Sequence, residues 1–369
     1  MTSVRLFILG CLTLVLCGSR SFSTQSKALE SAPTVRLVAG STSALHIPKT
    51  ATFLGPYWCQ PDGAMVTEYL GIPVGTAATA PLGSMIAVIG LDGKVKARIS
   101  PREQLPAGKI DPAYIGTLFV NSDEIFVLTR KAPPTGHKQK PPDIEKSLFD
   151  DTDQRFLIAS FAPNGEYKSS VQLDLPFSPM QAAAFDSGNF VIAGVDYGTR
   201  KPRIAIVRQD GVVDRMLDLP GDISAAKLGM DESREHGTLA EGVTVSAVMS
   251  TLVPNGNSVL LMRRGASGPQ YLISDSGAVR KVRLPSLRGF ERETVQPVTR
   301  GLLVTFTKTV KENVESVSVL LDRESLKPIL NYRFQTAPYS AVCSQGTGFV
   351  ILRKVKDGDF ETSLFDKAP

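Results

Sequence analysis

Five hairpins along the chain share one plan, and that recurrence restricts the fold more than any other feature. They are MIAVIGLDGKVKARISP (85–101), FLIASFAPNGEYKSSVQLDLP (156–176), IAIVRQDGVVDRMLDLP (204–220), YLISDSGAVRKVRLP (271–285) and VSVLLDRESLKPILNYRF (317–334). Each has an apolar strand, a polar turn, and a strand in which apolar and charged residues alternate. Alternation of period two suits a strand at the outer edge of a sheet, packed on one face and wet on the other, whose charges discourage pairing with other molecules.

A second, more apolar hairpin precedes the outer ones, at 117–130, 182–195, 250–264 and 296–308. Together an inner and an outer hairpin make a four-stranded unit, best seen at 180–220. There the strands are read at 182–185, 190–195, 203–208 and 212–219, with Asp210-Gly211 closing the last hairpin as a tight turn. With Gly93, Gly165, Gly211, Gly277 and Ser325 as equivalent turn points, the spacings are 72, 46, 66 and 48 residues. The short spacings set the period, that of a four-stranded β-propeller blade. The long ones hold two polar insertions, 131–154 and 221–242, expected to be surface loops.

The last inner hairpin, 340–354, is followed by only about one more strand, so its unit lacks an outer strand. The N-terminal segments 34–38 or 44–47 can supply it, which would close a ring and remove its open edges. The expectation is an all-β, single-domain propeller over 34–369 with six blades, or seven if 72–87 holds more than it shows. The recurrent turn, alternating strand and Leu-Pro ending, as in LDLP at 173–176 and 217–220 and RLP at 283–285, resembles six-bladed propellers of the TolB and NHL kind. That resemblance implies a fold shared by binding scaffolds, sensors, lactonases and peptidase-associated domains, and so does not select a function.

The first residues carry one Arg and then an apolar run over 6–17, turning small and polar afterwards. This reads as a signal peptide, 1–23, with cleavage between 19 and 28, and predicts a secreted or periplasmic protein. The run is too short for a usual membrane span, and no later stretch is long and apolar enough for one. Losing 1–23 removes Arg5 and Arg20, leaving 39 basic against 36 acidic residues. With that near balance and no basic cluster interleaved with aromatics, a nucleic-acid surface is not indicated.

The same cleavage leaves two cysteines, Cys59 and Cys343. Cys59 lies six residues before Met65 and Cys343 six before Phe349, each beginning a second strand, so the two occupy equivalent inner-strand positions in the first and last blades. Spatial proximity is expected; a disulfide and two separate buried thiols both remain open.

Chemistry-bearing patterns are sparse. His46, His137 and His236 are far apart, and there is no Gly-x-Ser-x-Gly or Gly-x-x-x-x-Gly-Lys. Asp150, Asp151 and Asp153 fail the EF-hand pattern. Tyr57-Trp58, on the first inner strand, are the ligand-binding candidates, able to line a central channel and stack on a ligand; the other reading is packing between blades. The function expected is binding or scaffolding of a protein, peptide or glycan by a monomer without a cofactor. The alternative is a metal-assisted hydrolase or lyase of the lactonase type, with carboxylates such as Glu68, Asp123, Glu124 and Asp186 converging on a divalent ion in the channel.

Overall fold

The computed structural model describes residues 32–44, 52–60, 62–71, 83–105, 117–121, 123–130, 155–197, 199, 201–218, 236–239, 243–246, 252–262, 270–298, 300–310, 313–334, 341–345, 348–354 and 360–367. The fold is a β-propeller. After β1 (Thr34–Ala44), the first four-stranded sheet holds β2 (Thr52–Cys59), β3 (Met65–Gly71), β4 (Gly83–Ile89) and β5 (Val95–Ile99) in that order. One helical turn, α1 (Pro101–Gln104), follows. The second sheet holds β6 (Thr117–Val120), β7 (Ile125–Arg130), β8 (Phe156–Phe161) and β9 (Tyr167–Leu173). The third holds β10 (Ser178–Ala184), β11 (Phe190–Val195), β12 (Pro202–Val207) and β13 (Val213–Leu217).

A separate hairpin, β14 (His236–Leu239) with β15 (Val243–Ser246), comes next, so the second insertion is not wholly a loop. The fourth four-stranded sheet holds β16 (Leu252–Pro254), β17 (Ser258–Leu261), β18 (Gln270–Ser274) and β19 (Val279–Val282). The remaining strands are β20 (Glu291–Val298), β21 (Gly301–Val310), β22 (Asn313–Leu321), β23 (Pro328–Phe334), β24 (Ala341–Gln345), β25 (Gly348–Lys354) and β26 (Phe360–Lys367). With β1 they form one eight-stranded sheet, ordered β20-β21-β22-β23-β1-β26-β25-β24. The first insertion, 131–154, lies outside the described residues, as do most of 72–87 and 221–235.

Counted as sheets of four or more strands, the propeller has five blades among the described residues, where the repeat spacing predicts six. The reason is a join. Two runs of four, β20–β23 and β24-β25-β26-β1, merge because β1 pairs in parallel with β23 from Thr34↔Asn331 to Leu37↔Phe334. On its other edge β1 pairs antiparallel with β26, from Leu37↔Lys367 to Ala44↔Glu361, so the N-terminal strand lies between two C-terminal ones.

The middle strands explain why these sheets stack. Every residue of β8, β11 and Ile125–Thr129 of β7 is buried, and FVIAGV in β11 has no polar face at all. A strand apolar on both sides needs an apolar layer against each face. One cluster runs through the first three sheets, including Trp58, Val66, Leu118, Phe119, Phe126, Ala182 and Phe190. Others join the third sheet to the fourth, through Phe185, Ile204, Leu261 and Tyr271, and the fourth to β20–β22, through Leu260, Val282, Val304 and Phe306. Leu303, Tyr332 and Phe349 link the two runs of the eight-stranded sheet, and Met65, Ile89, Cys343 and Val350 link its last run back to the first sheet. Cys59 and Cys343 are disulfide-bonded, with their Cα atoms 5.4 Å apart.

The outer hairpins close less tightly than the Asp-Gly pair suggests. At β12–β13 the Arg208 amide donates to the Val212 carbonyl and the Gly211 amide to the Arg208 carbonyl, so the turn spans Arg208–Gly211 and ends in a bulge. Gly211 sits at φ +85°, the left-handed residue of a type I turn followed by a glycine bulge. The turns at Gly93, Gly165 and Gly277 repeat this geometry; the fifth is one residue longer, and its positive φ falls on Leu326 rather than Ser325.

Gly211 also touches the neighbouring sheet: a Cβ there would stand 2.1 Å from the Gln172 carbonyl oxygen. Gly289, at φ +77°, has nothing within 4 Å of such a Cβ. Gly289→Ala therefore costs only the backbone term, about 1 kcal/mol, whereas Gly211→Ala costs roughly 3 kcal/mol because the second sheet must also move. Urea denaturation of the two variants checks this; equal midpoints would mean that the contact between sheets contributes nothing.

Candidate functional site

The inner strand of each unit ends in a short turn, and five of these turns gather around one depression. They are Gln60–Ala64, Asn121–Glu124, Phe185–Asn189, Asn255–Ser258 and the tight link from Val298 to Gly301. The depression is open to solvent, and its space with that open part is about 540 Å³. Its apolar wall comes from Cys59, Val120, Pro254, Pro297 and Val298, and its polar groups from Gln60, Asn121, Asp186, Asn255 and Arg323. This is the axial mouth on the side where the inner hairpins turn.

Local sequence sets these turns. The Asn121 side-chain oxygen accepts from the backbone amides of Asp123 (2.9 Å) and Glu124 (2.8 Å), and Asp62 does the same for Ala64 (2.9 Å). Neighbouring turns are then stitched together. The Asp186 amide donates to the Gly256 carbonyl (3.1 Å), and Asn255 Nδ2 donates to the Arg323 carbonyl (2.7 Å). Arg323 Nη2 in turn donates to the Val298 carbonyl (3.2 Å). Arg323 arrives from the outer β22–β23 turn, so it reaches the mouth from the far side of its own unit.

Two buried amides at this mouth are incompletely bonded. Gln60 is 4% exposed and Asn255 5%, and Gln60 Nε2 and Asn255 Oδ1, both closed to solvent, have no hydrogen-bond partner among the described residues. A buried amide atom without a partner costs about 1–3 kcal/mol; Ser316 Oγ on β22, away from the mouth, is in the same state. Gly256 separates the two charged side chains: a Cβ there would lie 3.2 Å from Arg323 Nη1 and 3.5 Å from Asp186 Oδ2.

The sequence candidates fall elsewhere, with one exception. Trp58 is buried between the first two sheets, and its Nε1 donates to the Leu118 carbonyl at 2.8 Å. Strand alternation turns Tyr57 the other way, half-buried against Met65, Ala87, Ile89, Cys343 and Val350. Both therefore pack between sheets, and neither lines the mouth; only the next residue, Cys59, does. Glu68 is buried on β3, a strand removed from the axis. Glu124 is ion-paired with Lys168, and Asp123 is exposed in the same turn. Asp186 is the exception, placed at the mouth. Among the described residues no three His, Cys, Asp or Glu side chains gather closely enough to hold a metal ion. His46, His137, Asp150, Asp151 and Asp153 lie outside the described residues, and His236 begins β14.

Sequence reasoning missed Gln60, Asn255 and Arg323. A signal existed for the first two: a carboxamide follows the last apolar residue of an inner strand at Gln60, Asn121 and Asn255. Arg323 carries none, because nothing in an outer turn announces which way a long side chain folds.

The turn holding Arg323 is organised by Asp322. Its Oδ1 accepts from the Ser325 amide (2.8 Å), the Ser325 hydroxyl (2.7 Å) and the Glu324 amide (3.2 Å). These bonds, the Ser325 amide first, hold the carboxyl below its ordinary value of 3.8. A lowered folded value means that the contribution is present above the unfolded value and lost as pH falls through the folded one. The Ser325 and Arg323 amide resonances should therefore stay fixed from neutral pH to about 4 and move only below it. In Asp322→Ala they should already be displaced at neutral pH; titration of the native turn near pH 6 would contradict the assignment.

No family model matches the chain, and no curated protein does. Among solved structures, streptogramin B lyase aligns with 89% of this chain and 98% of its own at 11% identity and a TM-score of 0.40. A mutant of Trypanosoma rangeli sialidase displaying trans-sialidase activity aligns with 91% of this chain and 60% of its own at 10% identity and a TM-score of 0.42. A protein of unknown function from Bacteroides caccae aligns with 78% of this chain and 89% of its own at 12% identity and a TM-score of 0.37. Resemblances this weak carry nothing about ligand or chemistry.

Proposed function

We propose that the chain is an exported six-bladed propeller that works by binding, holding a protein, peptide or glycan ligand at the axial mouth. The observation that carries the reading is the axial depression itself, where five turns bring Gln60, Asn121, Asp186, Asn255 and Arg323 together beside an apolar wall. Protein sites that fix a ligand combine apolar walls with a few convergent polar groups, and the mouth has both.

The six-blade count is supported by the eight-stranded sheet dividing into two runs of four, and by the succession of inner strands. β2 contacts β6, β6 contacts β10, β10 contacts β16, β16 contacts β20, β20 contacts β24, and β24 contacts β2, while β2 also meets β20 directly. Export is supported by the leader-like residues 1–23 and by the disulfide, a bond suited to an oxidising compartment. No helix among the described residues is long and apolar enough to cross a membrane.

Peptide and glycan arrays probed with the chain lacking residues 1–23 test the reading. A retained ligand should bind roughly tenfold or more weakly to Asn255→Leu and to Arg323→Gln, since truncated central contacts commonly cost 2 kcal/mol or more. Binding that ignores both substitutions would place the ligand elsewhere. Prior dialysis against a chelator should change nothing; loss of binding would point instead to a divalent ion in the channel.

A further inference from the structure

We propose that the Cys59–Cys343 bond is a thiol-exchange site approached from the axial mouth. A low-molecular-weight thiol attacks Cys59 Sγ, stays there as a mixed disulfide, and expels Cys343 as a buried thiol. This goes beyond the binding reading and needs no ligand at the mouth.

The two halves of the bond stand in different surroundings. Cys59 is half-buried and forms part of the wall of the solvent-open depression, at the start of the Gln60–Ala64 turn. Cys343 is 0% exposed, enclosed with Met65, Ala87, Ile89 and Val350. A thiolate breaks a disulfide by attacking one sulfur and expelling the other, so access decides which residue keeps the newcomer. Approach from the depression selects Cys59. The space there, about 540 Å³ with its open part, is of the size that takes small molecules, which points to a small thiol rather than a folded protein carrying one.

The step balances without a further oxidant or reductant. The incoming thiol gives up its proton and bonds through sulfur to Cys59, and the bond from Cys59 to Cys343 breaks. The Cys343 sulfur leaves with the bonding pair and takes up a proton. Its surroundings already suit a thiol. Cys343 Sγ lies 3.7 Å from the Trp58 carbonyl oxygen, which can accept from the new S–H, and its other neighbours are apolar, an ordinary setting for a buried cysteine.

The backbone need not move when the bond opens. Cys59 is paired with Met65 between β2 and β3, and Cys343 with Val350 between β24 and β25. The strand β1 stays held between β23 and β26. Exchange therefore leaves a folded ring that carries the modification on one residue, at the mouth.

The test treats the unreduced chain lacking residues 1–23 with excess reduced glutathione, quenches samples with acid over time, and maps their peptides. The earliest product should carry glutathione on Cys59 and a thiol on Cys343. Emission of Trp58, the chain's one tryptophan and the residue before Cys59, should rise in step as the quenching disulfide opens. Urea below the unfolding transition should leave the rate nearly unchanged, because the bond is reached in the folded protein. The single variants supply an independent arm. With oxidised glutathione, Cys59 in Cys343→Ala should react roughly tenfold or more faster than Cys343 in Cys59→Ala, and melting curves check that both are folded. Glutathione found first on Cys343, or on both alike, would overturn the proposal. So would a rate that climbs steeply with urea, or no exchange in the folded protein while the urea-unfolded chain exchanges freely. None of these outcomes bears on the arrays, which test the binding reading separately.

Discussion

A sheet whose middle strands are apolar on both faces cannot be left bare on either, and this constraint governs the whole molecule. Strands such as FVIAGV (β11) and FLIASF (β8) are buried throughout, so each four-stranded unit needs a neighbour on two sides. An open stack would leave two bare ends. Here the apolar clusters pass from one unit to the next and the last of them, with Met65, Ile89, Cys343 and Val350, brings the C-terminal strands back against the first sheet. The strand β1, held between β23 and β26, and the Cys59–Cys343 bond act at that same seam. A crosslink between residues 284 apart removes a large share of the unfolded chain's freedom, about 5 kcal/mol on the chain-entropy estimate.

The mouth is a by-product of the same packing. Bringing the inner strands together places their turns in a circle, and turns cannot be lined with hydrophobic residues without leaving backbone amides unbonded. Asn121, Asp62 and Asn255 satisfy nearby backbone groups, and in doing so carry polar side chains to the axis. Most of that polarity is consumed internally. The depression takes its chemical character from Gln60, Asn121, Asp186, Asn255 and Arg323 beside an apolar wall.

How much was legible follows from range. Periodicity and turn residues report contacts within a hairpin, and they gave the four strands of the third sheet to within a few residues, as with 190–195 for β11. The positive-φ glycines at 93, 165, 211 and 277 were readable for the same reason. Pairing between sheets is not written locally: that β1 would bridge β23 and β26, fusing two units into one sheet, depends on an edge that only the folded chain offers. The aromatic pair Tyr57-Trp58 shows the limit for sites. An inner-strand position admits either the axis or a neighbouring unit, and Trp58 meets Leu118 because the carbonyl that its indole N–H needs lies across that interface. Arg323 shows the opposite failure, a distant outer-turn residue delivered to the axis by side-chain length.

The meeting of the first and last units is the point on which the account stands. Peptide mapping of the unreduced, denatured chain lacking residues 1–23, alkylated before digestion, tests it most directly. The account predicts a single linked pair containing Cys59 and Cys343 and no alkylated cysteine. Recovery of both cysteines alkylated, from protein purified from an oxidising compartment, would contradict it.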